Sequence, residues 1–492
     1  MPIVRTWMFI GRMSGFMFIE KMSEERIIIF LVATAYLIRI LIAPFHIAIP
    51  LIPHDFYEYI GGGKCMEEEK YLFIGCQSFG DIRFRNFSYG PLFATLMWML
   101  YVIFGEYNFL AYKIVFTIFD VVNVVLVYLI AKNMFNKRIA LFTSLTYCFF
   151  IVTLFNSAVV ANDDVIAMMF TLLCTYFLIN KKIWLSAVSF SVSILLRTNI
   201  IMFFPLFLYY IYRTNDSKIS LMYILLTGFS YLVLITPFVF LAGWEQSIFY
   251  LFFKTSSSPF YLSPYYVFKL ITNINIDYIV NPLLIVSYIV TLILIFIRKM
   301  KNPTKELFRN MTLLWIIILL LGPFLNATYT YWFFTPILIL LNIKEMTKRQ
   351  YFGVILIIIG LIIYSMIFRE SLIEYTSFDR LLLLVSVFMA PVGTFHLLHG
   401  IKRNYRIIYS LIVLGCMMHW SVEAAPLSFL PMENLPNIDI SRFTLLNERY
   451  GEYMSGGFGV LLSYGIFYGG SAIILWIGLS ILYYKILREK ST

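Results

Sequence analysis

The residues best placed for chemistry in this chain are few. Asp55 lies in the stretch His54-Asp55-Phe56-Tyr57-Glu58-Tyr59, directly after the first apolar run long enough to cross a bilayer. A carboxylate at that edge, flanked by aromatic rings, is partly desolvated, which raises its proton affinity toward that of a useful general base. A second acidic group, Asn162-Asp163-Asp164, precedes the apolar run 165–179. Charge at membrane depth is costly and usually functional, although a carboxylate in front of a helix is also an ordinary N-cap. Neighbouring helical residues point about 100° apart, so the two acids are not expected to face one cavity. Arg197 interrupts two short apolar runs, and Lys254 sits among Phe252, Phe253 and three serines; Arg83 and Arg85 are weaker candidates of the same kind. Such cations can hold a phosphate, or simply reach the lipid headgroups.

A membrane scaffold must position these groups. Of 492 residues, 61% are hydrophobic and 13% charged, against about 25% charged in soluble domains. Apolar runs such as 27–38 and 354–363 recur along the whole chain. With roughly 20 apolar residues per span, about 12–14 helices fit. The expected fold class is an all-α polytopic membrane protein whose loops are too short for a separate soluble domain. A net charge of +11 would suit nucleic acid, but the basic residues fall in short clusters between apolar runs. That pattern is a topology signal, and no nucleic-acid partner is expected. Residues 1–26 lack the compact apolar core and small-residue cleavage site of a signal peptide. Cys65 and Cys76 share the first hydrophilic loop and can close a disulfide if that loop faces an oxidising compartment. His396 and His399 form an H-x-x-H without a third ligand nearby, so a metal is not expected there.

Lys and Arg collect in cytoplasmic loops. If the clusters around residues 5–26, 132–138, 181–182, 213–218, 298–309, 344–349, 402–406 and 485–490 are all cytoplasmic, each stretch between them crosses the bilayer an even number of times. Between Arg26 and Lys132 there are three apolar runs, 27–51, 90–105 and 109–131, so only two cross completely. The middle run opens Tyr89-Gly90-Pro91 and is the shortest, which reads as a juxtamembrane or re-entrant helix. Parity then places Asp55, Asn162-Asp163-Asp164, Arg197, the stretch 242–277 and the turn 326–332 on one outer face.

These residues resemble a known group, the GT-C membrane glycosyltransferases that use a polyprenyl-phosphate sugar as donor. The nearest likeness is to the first mannosyltransferase of glycosylphosphatidylinositol synthesis and its prokaryotic polyprenol-dependent relatives. It is carried by Asp55-Phe56 with Tyr59, by Phe87-Ser88-Tyr89-Gly90-Pro91-Leu92, and by Gly105, Asp120 and Tyr128. Asn162-Asp163-Asp164, the Ser-Pro-Tyr-aromatic stretch Ser263-Pro264-Tyr265-Tyr266, and the aromatic segment from Tyr329 to Pro336 complete it. Where such enzymes carry Asp-x-Asp, this chain has Pro53-His54-Asp55 and keeps only the second acid.

The resemblance spans about residues 50–340 and implies a GT-C catalytic module over 1–340, with its first outer loop at 52–108 and further transmembrane helices over 341–492. It implies inverting transfer of a sugar, mannose by likeness, from a polyprenyl- or dolichyl-phosphate donor to a glycolipid or glycan acceptor. Asp55 would be the base. His54, Glu58, Tyr89, Asn162, Asp163 and Asp164 would orient donor or acceptor. Arg197, Lys254, Arg83 and Arg85 would meet the phosphate. No cofactor is implied, and the question of a divalent metal stays open. The N-terminus would be cytoplasmic and the site extracytoplasmic, at the cell exterior or in the lumen of the endoplasmic reticulum. The competing class is a multi-pass transporter or lipid flippase, which would show inverted repeats and midplane polar groups; here the polar residues gather at one face and no repeat is apparent.

Overall fold

The computed structural model describes residues 22–43, 54–68, 74–79, 82–86, 89–106, 108–243, 260–261, 277–298, 302–321, 324–325, 327–341, parts of 349–399, 401–424 and 470–488. For 54–58 and for the strands only the backbone is described. Helix α1, Glu24–Ile42, starts at Ser23, whose hydroxyl accepts from the Arg26 amide, and has Glu24 and Glu25 in its first turn. Both features satisfy the positive end of a helix. Two elements of the first loop follow: α2, His54–Glu68, and an antiparallel hairpin of β1, Ile74–Phe79, with β2, Ile82–Asn86. Helix α3, Pro91–Phe104, begins with proline, which suits a first helical position, and ends at Gly105.

Helix α4, Phe109–Met134, is the first continuous span after the loop. Its 26 residues reach about 39 Å, more than the hydrocarbon thickness. Helix α5, Lys137–Phe149, is capped by the Asn136 side chain and breaks at Phe150. The chain then bends by 54° into 151–159, the last five residues of which form a π-turn. Helices α6, Asp164–Ile179, and α7, Ile183–Leu196, follow; a 3-10 turn, Thr198–Phe203, leads into α8, Phe204–Thr214. Helix α9, Ser217–Ala242, is capped by Asp216. Further on lie α10, Asp277–Ile297, α11, Pro303–Leu321, α12, Tyr331–Leu340, α13, Arg403–Ala424, and α14, Gly470–Arg488. A short parallel pairing joins β3, Phe260–Tyr261, to β4, Phe324–Leu325, just before Tyr329.

Burial sorts the spans. The apolar window of α4 is 61% buried, against 17% for those of α9 and α10. Helix α4 is therefore the axis of the fold, packed by α1, α5 and α6, whereas α9 and α10 turn most of their apolar side chains outward. Among the described residues three helices are long and apolar enough to cross a membrane, and the bent pair 137–159 makes a fourth. With the shorter apolar helices, this is the expected multi-pass helical architecture; the hairpin in the first loop is an addition to it. At one end Lys132 meets Glu24 at 2.5 Å, and Lys137 donates to the Met22 carbonyl. Residues expected on the cytoplasmic side thus lie together. Cys65 is disulfide-bonded while Cys148, Cys174 and Cys416 are free; the side chain of Cys76, on β1, lies outside the described residues.

Candidate active site

Three segments far apart in sequence meet at the opposite end. The π-turn closes with Val160 donating to the Phe155 carbonyl and Asn162 donating to Asn156, and Ala161 between them is left-handed at φ 53°. Such turns reverse a chain sharply and recur at functional sites. Here the reversal aims Asn162-Asp163-Asp164 at the end of α7, where Arg197 leaves the helix in extended backbone.

The guanidinium of Arg197 takes both acids. Nη1 lies 2.5 Å from each Asp163 carboxylate oxygen, and Nε lies 3.0 Å from Asp164 Oδ1. The Asp163 and Asp164 side chains are 2% and 0% exposed and that of Arg197 13%, so the cluster sits at the rim of the protein interior with an edge open. Among the described residues, two carboxylates thus share one guanidinium. Tyr59, on α2, donates its hydroxyl to Asp163 Oδ1 at 2.9 Å, and the Tyr329 ring lies 5.2 Å from the Arg197 guanidinium carbon. Trp315 holds Tyr329 by donating to its carbonyl.

The first loop is locked onto this cluster. Tyr89 packs edge-on against Tyr59, with ring centroids 4.7 Å apart, and Phe93 does the same at 4.8 Å. Gly90 donates its amide to the Leu196 carbonyl, and a Cβ added there would lie 1.8 Å from the Leu195 carbonyl oxygen. Only glycine permits that approach, one residue short of Arg197. Lys64 meets Glu106 at 3.3 Å; burial disfavours its charge, but Glu106, with Glu68 and Tyr101, more than offsets this and raises the Lys64 pKa.

The expected site residues therefore divide. Tyr89, Asn162, Asp163, Asp164 and Arg197 come together. Asp55, His54 and Glu58 lie in α2, which carries Tyr59, and Arg83 and Arg85 lie in β2; their side chains are outside the described residues. Lys254 is outside them altogether. The expected divergence of Asp163 and Asp164 does not keep them from one partner. Asp163 stands at the N-cap with helical backbone, and the fork of the Arg197 guanidinium is wide enough to reach both carboxylates across their angular separation. Nor does Asp163 act as a cap: its side chain makes no capping bond, while Asn162 Oδ1 accepts from the Asp164 amide. Sequence analysis does not single out Tyr59, Tyr329 or Arg39 as site residues. For Arg39 the available signal is a lone arginine inside an apolar run. Among the described residues, no three His, Cys, Asp or Glu side chains group as metal ligands.

Residues 88–241 match the family model PMT_2, described as dolichyl-phosphate-mannose-protein mannosyltransferase. No curated protein matches the chain. The crystal structure of ArnT from Cupriavidus metallidurans bound to undecaprenyl phosphate is similar over 94% of this chain and 78% of that one, with TM-score 0.47 and 12% identity. The apo crystal structure of the same protein is similar over 93% and 77%, with TM-score 0.45 and 14% identity. At these scores the similarity stands as a likeness alone. The family match encloses Tyr89, Gly90, Asn162, Asp163, Asp164 and Arg197.

Proposed function

We propose that this chain is an inverting glycosyltransferase that moves a sugar, mannose in our reading, from a polyprenyl- or dolichyl-phosphate donor to a lipid-linked or glycan acceptor at the extracytoplasmic face. The observation that supports it most is the Tyr59–Asp163 hydrogen bond. Asp55 precedes Tyr59 by one helical turn on α2, a rise of about 6 Å. The bond thus draws the first outer loop, with its candidate base, to the acidic pair from a segment more than a hundred residues away.

In the step, the acceptor hydroxyl passes its proton to Asp55 as its oxygen bonds to the anomeric carbon. The bond from that carbon to the phosphate oxygen breaks, and polyprenyl phosphate leaves with the electron pair. One base suffices because phosphate is already a good leaving group. Asn162, Asp163 and Asp164 accept hydrogen bonds from sugar hydroxyls, and we assign His54, Glu58 and Tyr89 to orienting donor or acceptor. Arg197 already pairs with Asp163 and Asp164, so it grips a phosphate only by giving up a carboxylate. We therefore assign the leaving phosphate first to Lys254, Arg83 and Arg85. The reading requires no cofactor and leaves a divalent metal open.

The test is sugar transfer by purified protein carrying Asp55→Asn or Asp55→Ala. Turnover is expected to vanish at unchanged expression; normal turnover would refute the base assignment.

A further inference from the structure

Behind the candidate site lies a second polar cluster that the proposed chemistry does not use. Arg39 and Asp120 are fully buried and paired, with Nε donating to Oδ2 at 2.8 Å and Nη2 at 2.6 Å from the same oxygen. Asp120 Oδ1 accepts from the hydroxyls of Tyr147 at 2.7 Å and Tyr331 at 3.1 Å, and those hydroxyls lie 2.5 Å apart. The Asn123 amide lies 3.1 Å from the Tyr331 hydroxyl and donates to the Val165 carbonyl at 2.9 Å.

Two of these groups lead outward to the site. Val165 directly follows Asp164, so the Asn123 bond fastens the turn of α6 that carries the two acids. Tyr331 opens α12 two residues after Tyr329, whose ring faces Arg197. The cluster therefore grips both the carboxylate side and the aromatic side of one constellation. Stability alone is a weak reason to keep it, because a buried ion pair seldom outperforms apolar packing of the same volume.

We infer that Asn123 and Tyr331, organised by the Arg39–Asp120 pair, are positioning residues for the Asp163–Asp164–Arg197 site. The inference rests on the transferase reading for its kinetic consequence. Displacing reacting groups by about 1 Å costs on the order of a hundredfold in rate, and an effect confined to the transition state lowers kcat while sparing KM.

Tyr331→Phe removes one hydroxyl and keeps the ring. In a sugar-transfer assay in nanodiscs it should lower kcat roughly tenfold, with donor KM within about twofold of wild type. Combined with Asp163→Asn, it should lower kcat no further than Asp163→Asn alone. Full kcat for Tyr331→Phe, or multiplicative losses in the double variant, would overturn the inference. Amide hydrogen exchange gives a readout independent of turnover. Tyr331→Phe and Asn123→Ala should speed exchange in residues 162–168 and leave that of α9 unchanged; unchanged exchange at 162–168 also overturns it. A wild-type protein that transfers no sugar would sink the transferase reading, while the exchange measurement still decides the positioning.

Discussion

Arg39 and Arg197 are each held by aspartate, but under opposite conditions. At Arg39 one guanidinium faces one carboxylate, both at 0% exposure, and tyrosine hydroxyls and an asparagine surround the acid. Charge there is balanced and sealed from water. At Arg197 one guanidinium faces two carboxylates at the rim of the interior, beside aromatic rings from two other segments. That cluster has an open edge, with the Arg197 side chain 13% exposed. A balanced buried pair specifies how helices fit together. A carboxylate pair at an open edge can meet hydroxyls or cations from outside, which is what a site requires.

Breaking the inner pair should produce the largest change in stability. Asp120→Leu or Arg39→Met alone strands a buried charge and should cost about 3–5 kcal/mol, whereas the double substitution should recover most of it; thermal unfolding in nanodiscs measures both. Asp164→Asn keeps the side chain's shape and leaves Arg197 paired with Asp163, so it should change stability by only about 1 kcal/mol, yet lower kcat by about a hundredfold. Were Asp164→Asn as destabilising as Asp120→Leu with activity intact, the two clusters would be of one kind. Gly90→Ala tests how the first loop reaches Arg197. The clash with Leu195 should cost about 1–3 kcal/mol, and the drop in transfer rate should accompany it. The smallest effect is expected from Ala161→Gly, which relieves a left-handed residue and should raise stability by up to about 1 kcal/mol.

Much of the scaffold was legible in sequence because membrane helices are written as apolar length. The interruption at Arg197-Thr198-Asn199 marks the boundary between α7 and the 3-10 turn before α8. Tyr89-Gly90-Pro91 marks the start of the short helix α3. Charge parity grouped Asp163, Arg197 and Tyr329 on one face, and their side chains do meet. The hairpin at 74–86 was not legible, because five or six mixed residues per strand resemble any hydrated loop. The π-turn and left-handed Ala161 carry no glycine to announce them. Arg39 and Asp120 are 81 residues apart, and only the packed register of α1 on α4 brings them into contact.

The central claim is that this membrane protein breaks a polyprenyl-phosphate–sugar bond at the cluster joining α2 to Asp163. The most direct measurement incubates the purified chain in nanodiscs with polyprenyl-phosphate mannose and a membrane lipid extract as acceptor source, and follows the release of polyprenyl phosphate by mass spectrometry. The account predicts time-dependent release with a matching gain of one hexose on an acceptor, lost in Asp55→Asn. Intact donor with the wild-type protein, or equal release by Asp55→Asn, would contradict it.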